Sequence, residues 1–334
     1  MATLATNNLT LADWAKRVGP DGNIADIVEI LGQSNTILED AVFMEGNLPT
    51  GHRVVVRTGL PIVYWRALNA GVPTSKSTSA TVDESVGMLE AYSEIDKDLA
   101  LLNGNSAEFR LSEDKPFIEA MNQTQATTMF YGNPATDPKT YLGLAPRYSS
   151  LAAGNGANII DAAGTGTDNT SVWLVVWGDN TVFCTFPKGS QAGLLQEDLG
   201  VDTIIDANGG RFQAYRTHFQ WKNGLVVKDW RFVVRIANID TSNLVAETSA
   251  ADLAKLMARA IDKLPNMTSG RAVFYMNRTV SSMLSIQGLN TSKAGVLAVQ
   301  PALDQFGRTI WNRSFLGVTV RINDALLNTE SRVV

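Results

Sequence analysis

Residues 214–240 read AYRTHFQWKNGLVVKDWRFVVRIANID, two β-rich runs on either side of Asn223-Gly224. No other stretch narrows the fold as much. Asn-Gly between such runs signals a two-residue hairpin, because a type I′ turn needs positive φ at both central positions. With that turn, Lys222 faces Leu225, Trp221 faces Val226, Thr217 faces Trp230 and Tyr215 faces Phe232. One surface of the ribbon then carries Tyr215, Phe219, Trp221, Val226, Trp230 and Phe232. The other carries Arg216, His218, Gln220, Val227, Asp229 and Arg231, with His218 directly across from Asp229. Sorted faces of this kind belong to a sheet with one packed side. A nucleic-acid platform would expose its aromatics beside its cations instead. The expectation is a structural wall.

Totals point to a surface that faces other protein rather than nucleic acid. A formal net charge of -5 argues against general affinity for nucleic acid, which rests on neutralising phosphates. Charged residues are 18% of the 334 positions, against a typical ~25%. With hydrophobics at an ordinary 45%, a low charge share suits a surface that faces other protein. The single cysteine, Cys184, excludes an intrachain disulfide. The opening MATLATNNLTLADWAKRVGPDGN lacks a basic-then-apolar signal pattern, and runs such as VWLVVW fall far short of the ~20 residues that cross a bilayer. A soluble chain made in a reducing cytoplasm, with no membrane partner, is expected.

Along the chain, LADWAKRV and ADIVEIL read as short helices in an arm over residues 1–45. Residues 51–95 read as two strands flanking a polar tip, VPTSKSTSA, which makes a long hairpin. A helix over 112–131 is predicted, with Ser112 as N-cap, Glu113 and Asp114 at its positive end and Pro116 in its first turn. Its apolar face is Phe117, Ile118, Met121 and Met129. Residues 150–170 read as loop, and SVWLVVW and TVFCTF as strands around Gly178-Asp179-Asn180. A helix over 249–264 repeats Leu253, Leu256, Met257, Ala260, Ile261 and Leu264 behind a Ser249 cap. RAVFYM reads as a strand, TVSSMLSIQGL as a short helix and SFLGVTVRINDAL as a late strand. The mixture is α+β.

The search for chemistry is mostly negative. There is no phosphate loop, nucleophile elbow or HExxH helix. His52 and His218 are the only histidines, too few for a histidine-based triad or zinc site. Glu197, Asp198, Asp202 and Asp206 lack EF-hand spacing and read as a solvated turn. Arg211, Arg216, Lys222, Lys228, Arg231 and Arg235 form the one positive block. No catalytic residue, cofactor or metal is assigned.

Four phrases, FYGNPATDPKTYLGLAPRY, NGLVVKDWRFVVRIANID, AVFYMNRTV and FLGVTVRINDALLNTE, resemble the gp7-like major capsid proteins of short-tailed double-stranded DNA bacteriophages. The resemblance implies a Hong Kong 97-like fold with an N-terminal arm at 1–45, an extended loop at 46–95 and a peripheral domain with a spine helix at 96–150. An axial domain at 151–300 and a C-terminal strand at 301–334 complete it. It further implies self-assembly into hexamers and pentamers in the host cytoplasm, with scaffolding, portal and cement or decoration partners. Packaged DNA would touch the shell only non-specifically. Arg53, Arg57, Tyr64, Trp65, Arg66 and Lys76 on the extended loop, with Glu113 and Asp114 as a landing place, become the expected inter-subunit contacts. Two other readings stay open. One is a glycan-active hydrolase with a carboxylate pair and Trp173, Trp177 and Trp221 as a sugar platform; the other is a nucleic-acid module using 211–235.

Overall fold

The computed structural model describes residues 9–17, 31–102, 104, 106–206, 208–289, 297–303 and 309–334, with backbone alone at 12, 15, 289, 297–303 and 309–312. Within them the chain forms two compact units. One comprises residues 1–33, 88–126 and 193–222; the other comprises 34–87, 127–192 and 223–334.

The larger unit is organised by Asn169–Trp177, NTSVWLVVW, buried at every position. It pairs antiparallel with Val233–Asp240 on one side and with Arg271–Met276 on the other. Beyond Arg271–Met276 follow Val318–Ile322 in parallel, then Thr309–Phe315 and Leu297–Leu303 antiparallel. Val172, Leu174 and Val176 pack with Leu253, Leu256 and Met257 of the helix Leu253–Asp262, and with Val280 and Met283 of the helix Arg278–Leu289. On the other face Trp173 meets Phe130 and Tyr148, and Trp177 Nε1 donates to the Tyr275 hydroxyl at 2.8 Å. A strand covered on both faces gains from apolar residues at every position, about 1.5–3 kcal/mol for each large side chain buried. That is why this run does not alternate.

The smaller unit pairs Leu194–Ile205 antiparallel with residues 211–221 of the strand Arg211–Val227, with a register shift at Asp198/Gly200. Its core gathers Ile95, Ala100 and Phe109 with Trp14 of the helix Leu11–Arg17 and Tyr215. Phe117 stacks on Phe219 at 6.0 Å.

The expected ribbon at Asn223-Gly224 does not form. Arg211–Val227 runs straight through the pair, and neither residue has a positive φ. The glycine serves close approach instead: a Cβ there would lie 2.6 Å from the Ser85 carbonyl oxygen and 3.2 Å from Val86 Cα. Residues 224–227 pair with Val182–Phe186, and Trp230–Phe232 is a 3₁₀ turn whose cap, Asp229, accepts from the Arg231 N–H at 3.0 Å. His218 therefore faces Glu197, not Asp229. A two-residue turn with both central φ positive does occur, at Leu316 (φ 47°) and Gly317 (φ 82°). It splits the expected late strand into the hairpin Thr309–Phe315 and Val318–Ile322.

Other elements differ at their ends. The long helix is Ser106–Tyr131, so Ser112, Glu113 and Asp114 lie inside it. The Ser112 hydroxyl donates to the Phe109 carbonyl at 2.7 Å, the in-helix alternative to capping. Met121 and Met129 are buried as expected, whereas Ile118 is exposed. The helix expected over 249–264 starts at Leu253 under Asp252, whose side chain accepts from the Lys255 N–H, while Ser249 lies outside it at φ 53°. Within 150–170, read as loop, Ile159–Asp161 pairs parallel with Val233–Asp240. The helix expected at ADIVEIL falls outside the described residues, apart from Leu31.

Candidate assembly surface

Strand Gly51–Gly59 pairs antiparallel with Thr78–Ser85, and residues 60–77 between them form no strand. Val54 roots this hairpin by packing with Phe183 and Val226. Glu84, buried at the base, is held by both terminal nitrogens of Arg147, at 2.5 and 2.7 Å. The Arg147 group also donates to the carbonyls of Leu142 and Leu225. The His52 ring meets Phe183 edge-on at 5.2 Å; burial, then the nearby Lys228 ammonium, holds its pKa below the usual imidazole value against the opposing pull of Glu84.

Past this root the hairpin carries its apolar side chains in the open. Leu60, Ile62, Val63, Tyr64 and Leu68 are exposed, and Trp65 is 105% exposed. Arg53 is held by Asp83 through two 2.6 Å bonds, and Arg66 Nε donates to the Ala70 carbonyl at 2.8 Å. Arg57 and Lys76 are exposed. Sequence reading picked out Tyr64 and Trp65 but missed their apolar neighbours. The available signal was a long apolar run, GLPIVYWRAL, interrupted by Pro61.

Glu113 and Asp114 are occupied within their own unit. Glu113 forms an ion pair with Arg17. Asp114 is buried, its Oδ2 accepting from Thr217 Oγ1 at 3.4 Å. Burial pushes its carboxyl pKa up, against hydrogen bonds from Ser93 and Thr217 and the charge of Arg110, while Asp198 adds to the rise.

The family model for major capsid protein GP7 matches residues 19–334. The solved structure of bacteriophage Epsilon15, derived from cryo-EM and modelling, is 32% identical over 100% of this chain and 99% of that chain, with a TM-score of 0.78. The chain belongs to the GP7 family of major capsid proteins. More distant likenesses include the bacteriophage JBD30 capsid, at 9% identity over 89% of this chain and 92% of that chain, TM-score 0.47. Another is the capsid of a native GTA particle, at 10% identity over 70% and 99%, TM-score 0.46. At those scores they add nothing to the assignment. Comparison with curated proteins returns no match.

This is therefore a shell-forming capsid protein of the Hong Kong 97-like fold, a structural component of the virion and not an enzyme. The two other readings fail on particular side chains. Trp173 and Trp177 are buried core residues and offer no sugar platform, and Trp221 is half-buried. The positive block is divided between the units: Arg211, Arg216 and Lys222 belong to the smaller, Lys228, Arg231 and Arg235 to the larger. Arg216 lies over Tyr92 and pairs with Glu94, Arg231 pairs with Asp229, and Arg235 is buried. The acidic residues of 197–206 likewise go separate ways, Asp198 to Arg110, Asp202 to Arg216 and Asp206 to the N–H groups of Asn208 and Gly210.

Proposed function

We propose that the hairpin from Gly51 to Ser85 is the arm by which each capsid subunit grips a neighbouring copy, with Arg57, Tyr64, Trp65, Arg66 and Lys76 at the contact. The observation that carries this is the exposure of Trp65 among Leu60, Ile62, Val63 and Leu68. Apolar groups massed on one projecting segment mark an interaction site, and Arg and aromatics are enriched at such contacts. An isolated two-stranded ribbon is marginal in water, so its outer half gains order from the copy it touches. Arg53 supports the arm internally through Asp83. Glu113 and Asp114 are engaged inside their own unit, so the arginines of the arm meet other acceptors.

On this reading the smaller unit, which holds most of the long helix, is the peripheral lobe, and the sheet around Asn169–Trp177 is the axial lobe. Residues 1–45 are the N-terminal arm. Hexamers and pentamers assemble in the host cytoplasm around scaffolding and portal proteins, with cement or decoration proteins outside and DNA held non-specifically within. Replacing residues 61–76 by a four-residue Gly/Ser turn leaves both strands paired. The expected product is a folded subunit, native by circular dichroism, that gives few shells by electron microscopy. Normal shells from that variant would overturn the proposal.

A further inference from the structure

The outer edge of Gly51–Gly59, on the side away from Thr78–Ser85, is already half dressed as the inside of a sheet. Asn47 Nδ2 donates to the Arg53 carbonyl at 2.9 Å, and the Arg53 N–H donates to Asn47 Oδ1 at 2.7 Å. These two bonds copy what an adjacent strand would make, and they show which way the Arg53 backbone points. In an antiparallel ladder that orientation repeats at every second residue. The register is unbroken from Gly51 to Arg57, so Val55 and Arg57 present their N–H and C=O groups to the same side. Among the described residues Gly51–Gly59 pairs with no strand but Thr78–Ser85, and no backbone bond fills those two positions. Open strand edges in native proteins are normally covered.

A slot of about 900 Å³ runs along this edge, with residues 52–60 as one wall and Asn180 and residues 228–231 as the other. Its charge is positive. Asp83 neutralises Arg53 and Asp229 neutralises Arg231. Among the described residues Arg57 and Lys228 are left over; there the Lys228 ammonium reaches only neutral oxygens, the Asp179 carbonyl at 2.7 Å and Asn180 Oδ1 at 3.5 Å. This is a basic, strand-length slot on a chain whose net charge is -5.

We propose that this edge receives an extended acidic segment of a second copy of the chain as an added β-strand. Its backbone bonds to Val55 and Arg57, and its carboxylates sit near Arg57 and Lys228. Strand addition supplies affinity through main-chain bonds and selectivity through side chains. The partner being another copy rests on the assembly reading above.

The test compares assembled wild-type shells with unassembled subunits. The amides of Val55 and Arg57 are expected to exchange about 100-fold more slowly in shells. Carbodiimide treatment of shells mixed from light and ¹⁵N-labelled subunits is expected to join Lys228 to an acid of a second copy. Val55→Pro removes one outward N–H that the hairpin does not use, a change an edge strand tolerates, and is expected to cut shell yield by about tenfold relative to Val55→Thr. Equal exchange of both amides in shells and subunits would overturn the proposal, as would a Lys228 cross-link confined to its own copy or made to a different protein. Those two readouts need no folded variant. Protected amides alongside normal shells from the shortened hairpin would uphold the edge site while refuting the arm.

Discussion

Glu330→Ala removes the counter-charge of a buried arginine. The Arg235 guanidinium donates to Ser171 Oγ at 3.0 Å, to the Tyr148 carbonyl at 2.8 Å and to Glu330 Oε2 at 2.8 Å, beneath the Trp173 ring at 5.0 Å. The two side chains are 5% and 4% exposed. Glu330 also accepts from the hydroxyls of Tyr131 and Ser171, so its loss orphans those donors as well as the charge. Removing one partner of a buried pair costs about 3–5 kcal/mol, because the remaining charge stays out of water. Native stabilities of about 5–15 kcal/mol make that a large fraction of the whole. Urea unfolding of unassembled subunits, followed by circular dichroism, reads the loss as a lowered midpoint. Arg235→Met with Glu330→Met removes both charges and is expected to be milder than Glu330→Ala alone. A loss below about 1 kcal/mol, the value of a surface pair, would refute the reasoning. So would a double variant no better than the single.

Gly224→Ala places a methyl 2.6 Å from the Ser85 carbonyl, and the backbone must give, at a cost of about 1–3 kcal/mol in the same assay; unchanged stability would mean the two strands are not so close. His52 titrates with the opposite sign to a paired histidine. Its folded pKa lies below the ordinary 6.5, so between the two values the unfolded chain binds more protons. Its stabilising contribution is complete above about 6.5 and declines as pH falls through that window. Urea midpoints at several pH values should show this slope in the parent and lose it in His52→Gln; an identical slope in both would count against the half-buried, neutral ring.

Much of the molecule was legible in its residues. SVWLVVW reads as a strand from its apolar run alone. The spacing from Leu253 to Leu264 made a helix with one apolar stripe, and the lack of catalytic motifs with only two histidines turned attention away from an enzyme. The ordered capsid-like phrases carry the family in the sequence alone. All of these are patterns among near neighbours or counts over the chain, and they survive whatever the distant parts of the fold do.

Tertiary structure decided the rest, because the deciding groups are far apart in sequence. Asn223-Gly224 has the local chemistry of a turn, yet Ser85 and Val86 lie against it and the glycine is needed to admit them. Ser112 has the chemistry of a cap, yet Ser106–Tyr131 begins a turn and a half earlier. Arg235 belonged to a basic block on paper; Glu330, 95 residues away, takes it into the core. Trp65 is the converse, an aromatic that composition would bury and the fold leaves in the open, since the hairpin Gly51–Gly59 and Thr78–Ser85 brings no second layer to cover it. Local propensity is a matter of tenths to one kcal/mol per residue, and a buried charge or a backbone clash outweighs it wherever distant segments meet.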